Sequence, residues 1–108
     1  ISGDDGLALP LIACGGDGVF SVVSNYAPEL VTKLAHAALS GDLATAKELH
    51  YRLLPFFKAA FVDGNPTSIK YALSLRGDMK PCVRLPLVEV KASAKEVIKA
   101  ALNESKLI

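Results

Sequence analysis

The segment Ser2–Val22, SGDDGLALPLIACGGDGVFSV, constrains the fold more than any other part of the chain. It opens on glycine and paired aspartates and continues into a short apolar stretch. A Gly15-Gly16 turn and a β-rich run follow. This succession reads as the end of one strand, a short helix, a glycine turn and a second strand, nearly one αβ repeat. Asp4 and Asp5 can cap the helix, which would bury Leu7, Leu11 and Ile12. Pro10 is tolerable only within the first turn or two. Gly15-Gly16 stops the helix, because glycine accepts the left-handed conformation in which helices end. Val19-Phe20-Ser21-Val22-Val23 is nearly continuous in apolar character, which suits a buried parallel strand. No strand precedes Ile1-Ser2, so the chain is expected to be a piece of a larger α/β protein.

Beyond this unit the pattern turns helical. A helix is expected over Pro28–Leu39, with Pro28 at its first position, Gly41 at its exit and Leu30, Val31, Leu34 and Ala38 as its stripe. A longer helix runs over roughly Leu43–Val62. Leu43, Ala46, Leu49, Leu53, Phe56 and Ala60 line one face, widened by Leu54, Phe57 and Phe61. Pro55 should bend it without ending it, since the periodicity continues on both sides. Asn65-Pro66 starts a helix that reaches Arg76 and buries Ile69, Ala72 and Leu73. Asp78–Val90, with two prolines, reads as an extended connection. Ser93-Ala94-Lys95-Glu96 is a capping box for a last helix with Val97, Ile98, Ala101 and Leu102 on one face. The expected division is residues 1–41 as an α/β segment and 42–108 as an all-helical appendage.

Composition narrows the function classes. At 108 residues the chain is one domain or less, and 51% of it is apolar, a surplus that points to faces covered by something else. The net charge is +1, with basic residues scattered among acids, so nothing favours nucleic acid. The longest apolar run, Leu7–Cys14, is far short of the ~20 residues of a membrane span. Cys14 and Cys82 lie far apart without metal-ligand spacing and read as reduced, partly buried thiols.

SGDD at Ser2–Asp5, GGDGVFSV at Gly15–Val22 with Asn25 after it, NPTSIKYAL at Asn65–Leu73 and VRLPL at Val83–Leu87 occur in order and at compatible spacings. Together they resemble the C-terminal part of the dihydrodipicolinate synthase family, in the class I aldolase superfamily. The resemblance implies the C-terminal part of a (β/α)8 TIM barrel followed by a helical extension. Ile1–Gly3 would end strand seven, Asp5–Cys14 would be helix seven, Gly18–Val22 strand eight and Pro28–Leu39 helix eight. It also implies a lyase that condenses pyruvate with aspartate semialdehyde through a lysine Schiff base, in lysine and diaminopimelate biosynthesis. The reactive lysine and the proton-relay residues would precede Ile1, so no catalytic residue is expected in this chain. What the chain would supply is substrate-binding wall: the backbone carbonyl of Phe20, the close-approaching backbone of Gly3 and, more weakly, Asp4. Most family members carry an aliphatic residue at the Phe20 position, a departure that bears on packing and not on the backbone. The implied partners are the two substrates, the N-terminal part of the same protein and further copies in a homo-oligomer, commonly a tetramer. The implied location is cytoplasmic; no cofactor, metal, nucleic acid or membrane is implied.

Other residues read as structural. Lys70, one turn into a helix, lacks the desolvated pocket that an activated amine needs. His36 and His50 have no carboxylate or cysteine at ligand spacing. Gly15–Gly18 precedes a strand and not a helix N-terminus, so it reads as a tight turn and not as a phosphate loop. Phe56, Phe57 and Phe61 read as core. Two alternatives stay open: a related 2-oxo-acid aldolase such as N-acetylneuraminate lyase, and a non-catalytic helical interaction module formed by residues 42–108.

Overall fold

A computed structural model describes all of Ile1–Ile108. It contains five α-helices: α1 (Ala8–Ala13), α2 (Pro28–Leu39), α3 (Leu43–Ala59), α4 (Thr67–Leu75) and α5 (Ala92–Glu104). Two 3₁₀ turns, Asp5–Leu7 and Val23–Asn25, complete the regular structure. The chain forms two compact units, Ile1–Leu54 and Pro55–Ile108, which divide at Pro55 inside α3.

The expected piece of a (β/α)8 barrel is not what forms. The chain is helical and contains no β-strand; the only strand-like pairing is one isolated parallel bridge between Ser2 and Val19. Side-chain hydrogen bonds account for this. The Ser2 N–H donates to the Gly18 carbonyl at 2.8 Å, and the Phe20 N–H donates to the Ser2 carbonyl at 2.7 Å. A continuing parallel ladder would next join the Asp4 N–H to the Phe20 carbonyl. Instead the Asp4 N–H bonds Ser2 Oγ at 3.1 Å. On the other segment, the Val22 and Val23 N–H groups bond the Asp5 carboxylate at 2.9 and 3.2 Å. With its donors taken on both segments, the ladder ends after one bridge, and Val23 turns into 3₁₀ geometry despite its β-branched neighbours.

In the first unit α1 packs on α2, and α2 packs on the Val23–Asn25 turn. Ile12, Ala37, Ala38 and Ala46 form a buried cluster, with Leu9 and Ala35 against it. Ala8 and Ile12 are the buried residues of α1, while Leu7 is 57% exposed, so the expected apolar face of this short helix is narrower. Helix α2 has the expected bounds and Pro28 at its start. It ends in a Schellman motif: Gly41, at φ 82°, donates to the Ala38 carbonyl, and the Asp42 N–H reaches the Ala37 carbonyl at 2.9 Å. Asp42 then caps α3 by accepting from the Thr45 N–H at 3.1 Å. Hydrogen bonds from the Thr45 side chain and backbone, helped by Lys33, hold the Asp42 carboxyl below its ordinary range.

In the second unit α4 packs on α5. The longer helix stops at Ala59 and not at Val62, as the chain tightens into three-residue turns (Phe61 N–H to Lys58, Val62 N–H to Ala59) before Gly64. Phe56 and Phe57 are buried as core, but Phe61 is 40% exposed. Ile98, Ala101 and Leu102 are buried on α5 together with Ala94, whereas Val97 faces solvent. The predicted capping box does not form, because α5 begins at Ala92 and places Ser93 inside the first turn. Asp63 does the capping from a distance in sequence. Its Oδ2 accepts the Lys91 N–H at 2.9 Å and its Oδ1 lies 3.9 Å from Lys91 Nζ. Both cysteines are free and exposed, not partly buried. No helix is long and apolar enough to cross a membrane.

Candidate functional site

The first unit carries an open cleft of about 790 Å³. Its wall is built from the two segments that the Ser2–Val19 bridge holds side by side, together with one face of α2. Gly3 and Phe20 both line it, with Val19 and Ser21 beside Phe20 and with Thr32 and His36 from α2. Asp4 does not line it. The exposed Asp4 instead caps the Asp5–Leu7 turn, its Oδ1 accepting the Gly6 N–H at 2.7 Å. Of the residues expected to bind substrate, the structure therefore brings Gly3 and Phe20 to one cleft and leaves Asp4 at its edge in sequence but outside its lining.

Phe20 is 75% exposed, and its backbone has a definite asymmetry. Its N–H is committed to Ser2, as described above. Its carbonyl, whose ladder partner would have been the Asp4 N–H, accepts no hydrogen bond within the chain. A carbonyl left unpaired beside an open cleft is an acceptor available to water or a ligand. At Gly3 a Cβ would meet nothing within 4 Å, so the backbone there borders open space.

Asp5 is the residue that sequence reasoning missed. The sequence suggests that Asp4 and Asp5 both cap the helix, but only Asp4 caps. Asp5 is 2% exposed, and its carboxylate reaches across to the segment after Phe20. Oδ1 accepts a hydrogen bond from the Ser21 hydroxyl, and Oδ2 accepts from the Val22 and Val23 amides. Ser21 Oγ in turn accepts the Ser24 N–H at 2.8 Å, and Ser24 Oγ donates to the Ser21 carbonyl at 3.0 Å. Asparagine, at Asn25, adds a bond from its Nδ2 to the Val22 carbonyl at 2.9 Å. The doubled aspartate was the available signal: one carboxylate suffices for a cap, which leaves the second to be explained.

The tight turn expected over Gly15–Gly18 is confined to Cys14-Gly15, and Gly16–Gly18 lead on from it to the bridge. Gly15 has φ 100°, and Gly15 and Gly16 donate to the Ile12 and Leu11 carbonyls, both at 2.9 Å. His36 is exposed on α2, and His50 is half-buried on α3, where burial pushes its pKa down. Lys70 lies on α4 in the second unit and takes no part in the cleft. No cluster of three or more His, Cys, Asp or Glu residues is arranged to hold a metal ion.

Comparison with known proteins places these features in a family. Residues 1–105 match the model of the dihydrodipicolinate synthetase family. The chain is 44% identical over 105 residues to 4-hydroxy-tetrahydrodipicolinate synthase of Neisseria meningitidis serogroup B, covering 97% of this chain and 36% of that protein. It is 42% identical over 108 residues to the enzyme of the same name from Methanocaldococcus jannaschii, covering 100% of this chain and 37% of that protein. Among solved structures, dihydrodipicolinate synthase from Thermotoga maritima superposes with a TM-score of 0.93 at 42% identity, over 99% of this chain and 36% of that one. The 4-hydroxy-tetrahydrodipicolinate synthase of Methylacidiphilum fumariolicum superposes with a TM-score of 0.95 at 36% identity, again over 99% of this chain and 36% of that one. The chain thus spans a little over a third of the length of these relatives. A match over residues 1–105, from the cleft segments to the end of the last helix, shows the kinship: the chain belongs to the dihydrodipicolinate synthetase family.

Proposed function

We propose that this chain is the C-terminal part of a lyase that condenses pyruvate with aspartate semialdehyde through a lysine Schiff base, and that it supplies substrate-binding wall without the reactive amine. In this reading the amine of a lysine outside the chain attacks the pyruvate keto carbon, and loss of water leaves a protonated imine. Removal of a proton from the adjacent methyl group gives an enamine, whose carbon forms the new bond to the aldehyde. The imine nitrogen takes up the electron pair in the first step and releases it in the second. Residues 1–41 border the bound oxo acid, and residues 42–108 form a helical extension that contacts other parts of the protein and further copies. The setting is cytoplasmic lysine and diaminopimelate biosynthesis, without metal or cofactor.

The observation that carries this reading is the unpaired Phe20 carbonyl beside Gly3 in one cleft, within a chain whose relatives bear the synthase name. A fixed carbonyl oxygen can accept from the hydroxyl of the carbinolamine or from the iminium N–H. Its negative end also favours the cationic iminium group over the uncharged keto group of pyruvate, which is differential stabilisation of the kind catalysis needs. Phenylalanine at position 20 leaves that role intact, because the backbone performs it. Asp4, exposed and outside the cleft lining, has one oxygen turned to Gly6 and enters this reading as the cap next to Gly3.

Steady-state kinetics of the intact protein that carries this chain test the proposal. With pyruvate as co-substrate, aspartate semialdehyde should be preferred to N-acetylmannosamine by about 100-fold or more in kcat/KM. Equal or reversed preference would replace the synthase reading with that of a related aldolase. No turnover with either would remove the pyruvate chemistry altogether.

A further inference from the structure

We infer that Asp5 is a positioning residue of the cleft, which fixes the direction of the Phe20 carbonyl relative to Gly3 by clamping the three residues that follow Phe20. The inference rests on the reading that this cleft takes the 2-oxo acid. A carboxylate buried to 2% exposure is costly unless its lone pairs are filled. Asp5 fills them from a single segment: the Ser21 hydroxyl and the consecutive amides of Val22 and Val23. That segment has little freedom to move without stranding the carboxylate.

The Phe20–Ser21 peptide lies between two anchors. Upstream, the Phe20 N–H is held by the Ser2 carbonyl at 2.7 Å. Downstream, Ser21, Val22 and Val23 are held by Asp5, and Ser21 passes the restraint to Ser24. Ser2 and Asp5 flank Gly3 and Asp4 in the chain. The two bridged segments of the cleft are therefore referenced to one four-residue stretch, and the peptide plane that carries the unpaired carbonyl is set by it. Misplacing a contacting group by about 1 Å is enough to cost on the order of 100-fold in rate. A side chain that never touches substrate can thus govern its binding.

Asp5→Ala, Asp5→Asn and Ser21→Ala separate a positioning role from a purely structural one. Asparagine keeps one oxygen for the two amides and can donate its NH₂ to Ser21 Oγ, so it should rescue most of the function. In the intact protein, Asp5→Ala should raise the KM for pyruvate by about 10-fold or more, with Asp5→Asn and Ser21→Ala within about 3-fold of wild type. Hydrogen exchange at the Val22 and Val23 amides should accelerate by about 10-fold or more in Asp5→Ala and much less in Asp5→Asn. A pyruvate KM unchanged in Asp5→Ala, alongside a lowered melting temperature, would show a structural role only and overturn the inference. Unchanged exchange at Val22 and Val23 would overturn it too. If Asp5→Ala does not fold, the double variant Asp5→Asn with Ser21→Ala, which loses the hydroxyl bond and leaves the two amides on a neutral oxygen, takes its place: a pyruvate KM raised beyond that of either single variant with faster exchange at Val22 and Val23 supports the inference, and wild-type values of both overturn it. A wild-type protein that does not turn over pyruvate sinks the functional reading alone, and the exchange rates then decide whether the clamp operates.

Discussion

Gly16 sits where α1 hands the chain to the cleft wall, and replacing it with alanine should be among the most damaging small substitutions in the first unit. A Cβ there would lie 2.0 Å from Leu11 Cδ2, 3.1 Å from Leu11 Cγ and 2.9 Å from the Leu11 carbonyl oxygen. Favourable carbon–carbon contacts lie at about 3.5–4.0 Å, so the overlap with the leucine side chain is severe. Leu11 is half-buried and can swing aside, but its carbonyl cannot, because the Gly16 N–H is bonded to it at 2.9 Å. Forced overpacking costs roughly 1–3 kcal/mol and a weakened hydrogen bond about 1 more, which sums to about 2–4 kcal/mol. Two neighbouring glycines serve as internal controls. Gly15 has open space around it but φ 100°, so Gly15→Ala should cost only backbone strain, about 1–2 kcal/mol. Gly18 has open space and no left-handed φ, so Gly18→Ala should lie within about 0.5 kcal/mol of wild type. Urea unfolding followed by circular dichroism, with m unchanged across the series, would measure all three. A Gly16→Ala protein within about 0.5 kcal/mol of wild type, or one more stable than Gly18→Ala, would refute the steric reasoning.

In the second unit, Leu102 is fully buried on α5, and Leu102→Ala should cost about 2–5 kcal/mol, read as a fall in melting temperature. Asp63→Ala removes the cap on Lys91; it should cost about 1 kcal/mol and speed exchange of the Lys91 amide, while Lys91→Ala, which keeps the backbone donor, should cost less. His50 has its pKa lowered by burial, so the folded state binds fewer protons than the unfolded state just below the ordinary histidine range. Its contribution to stability is complete above an unfolded pKa of about 6.5 and declines as pH falls below it. Melting temperature should therefore drop between about pH 7.5 and 5.5, and His50→Gln should flatten that slope; an unchanged slope would assign the acid sensitivity to other groups.

How much of this was legible in the sequence depends on the range of the interactions. Helix α2 was readable to the residue because its signals are local: proline at the start, glycine just past the end and an apolar stripe between. The boundaries of α3 and α5 were less so. The Ser93 capping box was a sound local pattern, but a more distant aspartate, Asp63, bonds the backbone of Lys91 just before the helix and lets it begin earlier. The strand expected at Gly18–Val22 failed for the same kind of reason. Its β-branched composition was real, yet Asp5 and Ser2 take the amides that a ladder would use, so one bridge remains. Gly3 and Phe20 could be named from their motifs, and they line one cleft. The clamp that holds their segments together could not, since nothing local to Asp5 says which distant amides it will meet.

Borohydride trapping with pyruvate, followed by peptide mapping of the intact protein, puts the division of labour to its sharpest test. A single lysine lying outside these 108 residues should carry the reduced pyruvyl group, and the isolated chain should carry none. A pyruvyl adduct on Lys70 or on any other lysine of this chain would mean that the chain brings its own reactive amine, and the reading of it as wall alone would be wrong.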